Sequence, residues 1–281
     1  MDASTALLDI DAATFRDAFD RRPFTIGHRL AGHPLFALPR LLELARALPR
    51  SHVEYNAGQI PVDMRDASPA NGLSAEETIR RIAECKSWMA LKWVEHDPDY
   101  RRLLEDCLAE VRVHAEPLRP GMQLGQGFIF LSSPGSVTPY HMDPEHNFLL
   151  QIRGSKRITL FDRAVALPEE IEGLHEGRPR NMALREEYRA RSSEHELTPG
   201  IGLHFPSAAP HYVRNGPEVS ISFSVTFRTP DQDAPACTHL FNAWMRRRGL
   251  APAPLGRHPA RDRMKSLAWR VAARARRLAG R

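Results

Sequence analysis

Between Gly121 and Phe227 the chain alternates short apolar, β-branched or aromatic segments with Gly and Pro, and this rhythm leaves few folds open. The segments are Gly127 to Ser132, Val137 to Met142, Phe148 to Arg153, Arg157 to Phe161, Ile201 to Phe205, His211 to Arg214 and Val219 to Phe227. Short strands divided by turn signals at this spacing predict a β-sandwich or barrel. In the last segment Ser220, Ser222, Ser224 and Thr226 alternate with Ile221, Phe223, Val225 and Phe227. A strand exposes successive residues on opposite faces, so this one has an apolar face and a small hydroxyl-bearing face.

The flanks read differently. Leu38 to Leu48 carries an apolar stripe ended by Pro49, and Pro98 through Val113 predicts a second helix. Ser74 followed by Glu76 and Glu77 is an N-cap with acids in the first turn, and the helix it opens is expected to run on through Ile79, Ile82, Trp88, Met89, Leu91 and Trp93. Both Trp88 and Trp93 are expected in the core. An acidic and basic stretch, 162–196, interrupts the strands and is expected to be helical near Leu184 to Arg191 and solvated around Arg178 to Arg191. The organisation expected is α+β: a helical region 1–118 packing on a barrel, a jelly-roll core 119–235 with the insertion 162–196, and C-terminal helices in 236–281.

Charge excludes a nucleic-acid-binding body. The net charge of +5 divides into a tail, residues 246–281, with twelve Lys/Arg against the single acid Asp262, and a preceding body in which acids outnumber bases. The longest apolar runs fall far short of the roughly 20 residues a membrane span needs. The N-terminus carries acids where a secretory leader has a basic region, so cytoplasmic residence is expected. Cys85, Cys107 and Cys237 are odd in number and widely spaced, which predicts isolated thiols in a reducing compartment.

The chemistry is concentrated in Tyr140-His141-Met142-Asp143. Residues two apart on a strand share a face, so the His141 imidazole and Asp143 carboxylate converge. His211 follows on a later strand, 68 residues beyond Asp143. Two histidines and one carboxylate on one face of a metal leave three cis positions open, as in non-heme Fe(II) oxygenases. Three positions accommodate one bidentate ligand plus dioxygen. The usual bidentate partner is 2-oxoglutarate, whose far carboxylate needs a cation, and Lys156, fifteen residues after His141 on the returning strand, is the candidate. Tyr140 and Tyr212 flank the ligands and therefore face the other way, into the core. His146 and His204 have no place in the triad.

Thr138 through Asp143, Asn147-Phe148, Gln151 through Arg157 and Pro206 through His211 resemble the Jumonji-C or cupin-like 2-oxoglutarate oxygenases, most closely the branch containing the asparaginyl hydroxylase that acts on hypoxia-inducible factor. The resemblance implies that His141, Asp143 and His211 bind Fe(II). It implies that Lys156 and Thr138 hold the 5-carboxylate of 2-oxoglutarate and that Asn147 assists the co-substrate. Thr226 stands where the family often has an Asn on the last strand. The implied reaction is hydroxylation of an unactivated C–H bond with O2, 2-oxoglutarate being converted to succinate and CO2. The substrate expected is a peptide or protein side chain, with a small metabolite or lipid-linked molecule behind it. Demethylation is the same chemistry at an N-methyl carbon. The competing reading is a metal-binding cupin for sensing or peripheral-membrane binding, which has no need of a carboxylate clamp such as Lys156 and Thr138.

In the tail, Met264, Leu267, Ala268, Val271, Ala275 and Leu278 recur at three- and four-residue steps among arginines, a cationic amphipathic helix behind the linker Gly249 to Pro259. A homodimer contact, an anionic membrane surface engaged through Arg257–Arg281, and an acidic partner, nucleic acid included, are the expectations it raises. Nine basic residues from Arg257 onward favour the anionic surface.

Overall fold

The computed structural model describes residues 6–178 and 181–280. In chain order the elements are β1 (Leu8–Asp9), α1 (Ala12–Ala18), β2 (Phe24–His28), α2 (Leu38–Ala47), β3 (Val53–Ala57), α3 (Ala75–Arg80), β4 (Ser87–Lys92) and α4 (Pro98–Ala115). They continue with β5 (Gln123–Ser132), β6 (Val137–His141), β7 (His146–Arg153), β8 (Lys156–Phe161), α5 (Pro168–Glu176) and β9 (Ser192–Leu197). The last are β10 (Ile201–Phe205), β11 (His211–Asn215), β12 (Ser220–Arg228), α6 (Asp233–Arg246) and α7 (Pro259–Ala279).

The strands form two antiparallel sheets, the sandwich that the turn spacing predicts and the jelly-roll that the resemblance implies. The larger has the order β1-β2-β10-β7-β12-β5-β4-β3 and the smaller β6-β11-β8-β9. Between them lies a core of Leu149, Ile158, Leu160, Leu197, Leu203, Phe205, Ala209 and Val213. The outer face of the larger sheet carries the main core, where Phe148, Leu150, Phe223 and Val225 meet residues of α1, α2 and α4. The serine face of β12 therefore looks inward between the sheets and its apolar face outward beneath the helices. On the far side of the smaller sheet, Tyr140, Phe161, Val165, Tyr188 and Tyr212 form a third cluster. Both tyrosines that flank the metal motifs are buried there, as alternation requires.

α4 shows why the helical segments form where they do. Asp97 caps it by accepting from the Asp99 amide, Pro98 opens it, and Tyr100, Leu103, Leu104, Cys107, Leu108, Val111 and Ala115 bury one stripe.

Three expectations are corrected. The helix capped by the reciprocal Ser74–Glu77 pair stops at Arg80, and Ser87–Lys92, which includes Trp88, Met89 and Leu91, is a strand. Lys86 adopts a left-handed φ of 51°, and Met89 and Leu91 pair with Leu131 and Ile129 of β5. The six-residue gap from Ile82 to Trp88 breaks the helical spacing, while full burial of Met89 and Leu91 two apart follows the period of a strand. Trp88 and Trp93 are half-buried. Next, the region 1–118 is not only helical: β1 to β4 from this region extend both edges of the larger sheet. Finally, in the insertion 162–196 the α-helix is α5, at Pro168–Glu176; Glu186–Arg191 is a 3-10 segment, and Ser192–Leu197 adds a strand beside β8. β9 is mostly polar and covers only an edge, so hydrophobic periodicity does not announce it.

Candidate metal centre

His141 ends β6 and His211 begins β11, and the two are direct cross-strand partners with ring centroids 4.1 Å apart. β6 carries a bulge here: four residues, Thr138 to His141, run opposite three, Val213 to His211. The bulge places Thr138 on the same inward face as His141 although they are an odd number of residues apart, while Tyr140 turns to the third cluster. Asp143 lies just past the end of β6, where its backbone carbonyl accepts from the Ala208 amide at 2.8 Å. That bond ties the turn bearing the carboxylate to the turn that leads into His211.

The three side chains converge. Asp143 Oδ2 is 3.6 Å from His141 Nε2 and 3.8 Å from His211 Nε2, and the potential ligand atoms all lie within 4.8 Å of one another. Donors held about 2.1 Å from one ion lie at most about 4.2 Å apart, so both separations suit a single divalent cation. Each imidazole is oriented through its other nitrogen: His141 Nδ1–H donates to the Pro139 carbonyl at 2.7 Å and His211 Nδ1–H to the Ala209 carbonyl at 3.0 Å. These bonds fix the tautomer that leaves both Nε2 lone pairs for a metal. An N2O donor set with room for further ligands fits Fe(II).

Lys156 begins β8 on the inward face shared with Ile158 and Leu160. Leu160 is the cross-strand partner of His211, so the lysine backbone lies four strand residues deeper, about 13 Å along the strand. Its Nζ is buried and donates to Ser222 Oγ at 2.9 Å; burial pushes the ammonium down to about 7. Near it, Gln151 donates to Ser220 Oγ and to the carbonyls of Arg153 and Gly154, while its buried Oε1 is without a hydrogen-bond partner. Asn215, paired with Lys156 across the strands, likewise has a buried unpartnered Oδ1. Closer to the triad, Asn147 is buried and its Oδ1 accepts from Ser224 Oγ at 2.6 Å. Thr226, opposite Asn147, donates its hydroxyl to the Gln126 carbonyl at 3.0 Å.

Thus His141, Asp143 and His211 come together, with Thr138, Asn147, Thr226 and Lys156 along the same inter-sheet space. Ser222, Ser224, Gln151 and Asn215 join them without having been singled out as site residues. The signal for the two serines was the hydroxyl-bearing face of β12; which hydroxyl meets which partner depends on the register of β12 against β7. His146 and His204 lie on the opposite face of the larger sheet, against Phe19 and Phe148. There His146 Nε2 lies 3.2 Å from Thr229 Oγ1, and His204 Nε2 accepts from the Asp20 amide. A cavity of about 310 Å³, lined by Arg65, Glu169, Glu170, Asn181 and Met182 of the insertion side, reaches Met142 between two of the candidate ligands.

Residues 122–234 match the JmjC domain profile. Lysine-specific demethylase 8 of Danio rerio is 35% identical over 102 residues, which cover 33% of this chain and 24% of that protein. Jumonji C domain-containing protein 5 of Drosophila melanogaster is 33% identical over 109 residues, covering 34% and 26%. The chain thus matches about a quarter of the length of these curated relatives. Among solved structures, YcfD, a ribosomal oxygenase from Escherichia coli, superposes with a TM-score of 0.53 at 17% identity over 95% of this chain and 67% of that one. A complex of YcfD with cobalt and 2-oxoglutarate gives 0.51 at 17% identity over the same shares. At this identity the likeness is one of fold.

Proposed function

We propose that this chain, whose residues 122–234 match the JmjC domain profile, is an Fe(II)- and 2-oxoglutarate-dependent dioxygenase that hydroxylates an unactivated C–H bond of a peptide or protein side chain. The observation that carries the reading is the buried Lys156 on the same inward face as the His141, Asp143 and His211 cluster.

The residues fit both groups. The two oriented imidazoles and one carboxylate suit a ferrous ion. The lysine is buried with a serine hydroxyl for company, and its lowered titration is what an ammonium awaiting an anion displays. Its stem and a five-carbon dicarboxylate together span the depth that separates it from the triad. When bound, the iron with 2-oxoglutarate and O2 supplies the oxidising power, with succinate and CO2 as co-products.

The chain's own work is positional. His141 and His211 present Nε2 because Pro139 and Ala209 carbonyls hold Nδ1. Lys156 and Ser222 receive the far carboxylate at the deep end, with Thr138 beside the strand pair. Asn147, oriented by Ser224, and Thr226 wall the space next to the metal. Asp143 fills the carboxylate position, which disfavours halide transfer and leaves hydroxylation as the outcome. The apolar core between the sheets excludes water from the lysine end. The names of the relatives, a lysine demethylase and a ribosomal oxygenase, support a macromolecular substrate. In this reading 119–235 is the catalytic unit, and the tail from Arg246 sets where the protein sits and contributes no group to the centre.

The test is anaerobic addition of Fe(II) and 2-oxoglutarate, read by the weak visible charge-transfer band, followed by aerobic succinate release. A candidate peptide pool is then searched for the gain of one oxygen atom that disappears in His141→Ala; loss of a methyl group instead identifies demethylation. Absence of both the band and succinate overturns the oxygenase reading in favour of a metal-binding cupin.

A further inference from the structure

α7 packs on the protein with its polar side. Asp262 and Ser266 are buried, Lys265 Nζ donates to Asn242 Oδ1 of α6 at 2.8 Å, and the Asp262 carbonyl accepts from Thr238 at 3.1 Å. The apolar residues expected to seek the core face the other way: Met264 is 70% exposed, Leu267 64%, Val271 61% and Leu278 66%. At about 100° per residue these four fall in one stripe opposite the buried Asp262 and Ser266. Arg263, Arg270, Arg274 and Arg277, all exposed, fall together along one flank of that stripe. The only acid of this segment, Asp262, is buried and accepts from the Gly256 amide at 2.8 Å.

We propose that α7 is an interfacial helix that lays this stripe into the headgroup and acyl boundary of an anionic phospholipid surface, with the arginine row on the phosphates. Both halves of the pattern select this occupant. A bilayer boundary takes up apolar side chains and offers negative charge in the same plane. A nucleic acid satisfies the arginines and leaves four large apolar side chains in water. A second copy docked through its own α7 covers the apolar stripe but brings that helix's arginines, and no exposed acid of it, to the flank. The geometry also explains the polar inner face: docking through Asp262, Lys265, Asn242 and Thr238 fixes the helix to α6 while keeping its apolar side available. The inference is independent of the oxygenase chemistry, because the stripe lies on an element that contributes nothing to the metal centre.

The test is partitioning of the full chain onto extruded vesicles, comparing phosphatidylglycerol-containing with pure phosphatidylcholine membranes at two salt concentrations. Binding is expected only to the anionic vesicles and is expected to weaken with salt. Replacing Arg263, Arg270, Arg274 and Arg277 by Gln is expected to lower partitioning by about 100-fold or more, and Met264→Ser with Leu267→Ser and Val271→Ser by about 100-fold. All these positions are exposed, and thermal unfolding of each variant serves as the control for folding. Absence of binding to anionic vesicles overturns the proposal, as does stripe-variant binding equal to that of the parent. A dimer in sedimentation velocity that the stripe variant dissolves assigns the stripe to a second copy instead. Displacement of the vesicles by RNA, with the stripe variant still binding RNA, assigns the arginines to nucleic acid and also overturns it.

Discussion

Lys156 Nζ lies 2.9 Å from Ser222 Oγ in the buried floor between the two sheets, and desolvation is what displaces its titration to about 7. The unfolded chain keeps that proton to about pH 10.5, so the stability of the free protein contributed by this lysine rises with pH between about 7 and 10.5. A carboxylate at Nζ reverses the preference and favours the ammonium. Above pH 7, 2-oxoglutarate binding is therefore expected to take up a proton, and affinity to fall by up to about tenfold per pH unit toward pH 9. Calorimetry in buffers of different ionisation enthalpy measures both. Lys156→Met is expected to weaken 2-oxoglutarate binding about 100-fold while raising the Tm of the free protein, since it removes a desolvated amine. An unchanged affinity in that variant would show that the ammonium does not hold the co-substrate.

Asp143 supplies the one carboxylate in the cluster, and its Oδ2 faces both imidazole Nε2 atoms. Asp143→Ala keeps the backbone bond to Ala208 and is expected to reduce Co(II) affinity by at least about 100-fold, beyond the 10- to 100-fold loss typical of outer-shell changes. Anaerobic titration followed by cobalt absorption reads the loss. The metal-free variant is expected to unfold at nearly the parent temperature, so retained cobalt affinity would place the metal elsewhere.

Gly154 turns β7 into β8 with φ +66°, and a Cβ there would lie 2.4 Å from the Val219 carbonyl oxygen. Both the left-handed backbone and the close approach oppose any side chain. Gly154→Ala is expected to cost about 2–3 kcal/mol in urea unfolding and, by shifting the start of β8, to weaken 2-oxoglutarate binding more than metal binding. Equal loss of both ligands would indicate general unfolding.

Buried and half-buried histidines outside the metal centre set an acid limit. Burial pushes His146, His175 and His239 down to about 4 and His204 well below its ordinary value. His175 and His239 stack between α5 and α6, while His146 and His204 lie in the aromatic cluster under α1. The unfolded chain protonates these groups near pH 6.5 and the folded one near 4 or lower, so stability is held above 6.5 and lost progressively as pH falls from 6.5 to 4. Desolvation outweighs the attraction of Asp20 for His146. Urea midpoints between pH 7 and 4.5 are expected to fall steeply, and His175→Phe with His239→Phe to flatten the decline; a parallel decline in the variant would remove those two residues as its source.

The β-sandwich class was legible because alternation in β12 and the turn residues between segments are local properties. So was the candidate metal set, since His141 and Asp143 are two residues apart and Lys156 follows a tight turn. β4 was not: a helix cap at Ser74 and apolar residues beyond it read as one helix, and the strand forms because β5 offers an unpaired edge, a long-range fact. β9 escaped for the same reason, its polar residues being held by hydrogen bonds to β8 and not by burial.

Residue types and spacing by themselves determined which side chains could bind a metal and a dicarboxylate, and that the tail helix has an apolar face. Tertiary structure alone decided that the β6 bulge turns Thr138 to the side of His141, that Ser222 meets Lys156, and that His146 and His204 are walled off behind the larger sheet. It also decided that α7 docks through its polar side and leaves its apolar stripe in solvent. Alternation within a strand or helix fixes faces relative to one another; only register and packing against other elements fix which face looks inward.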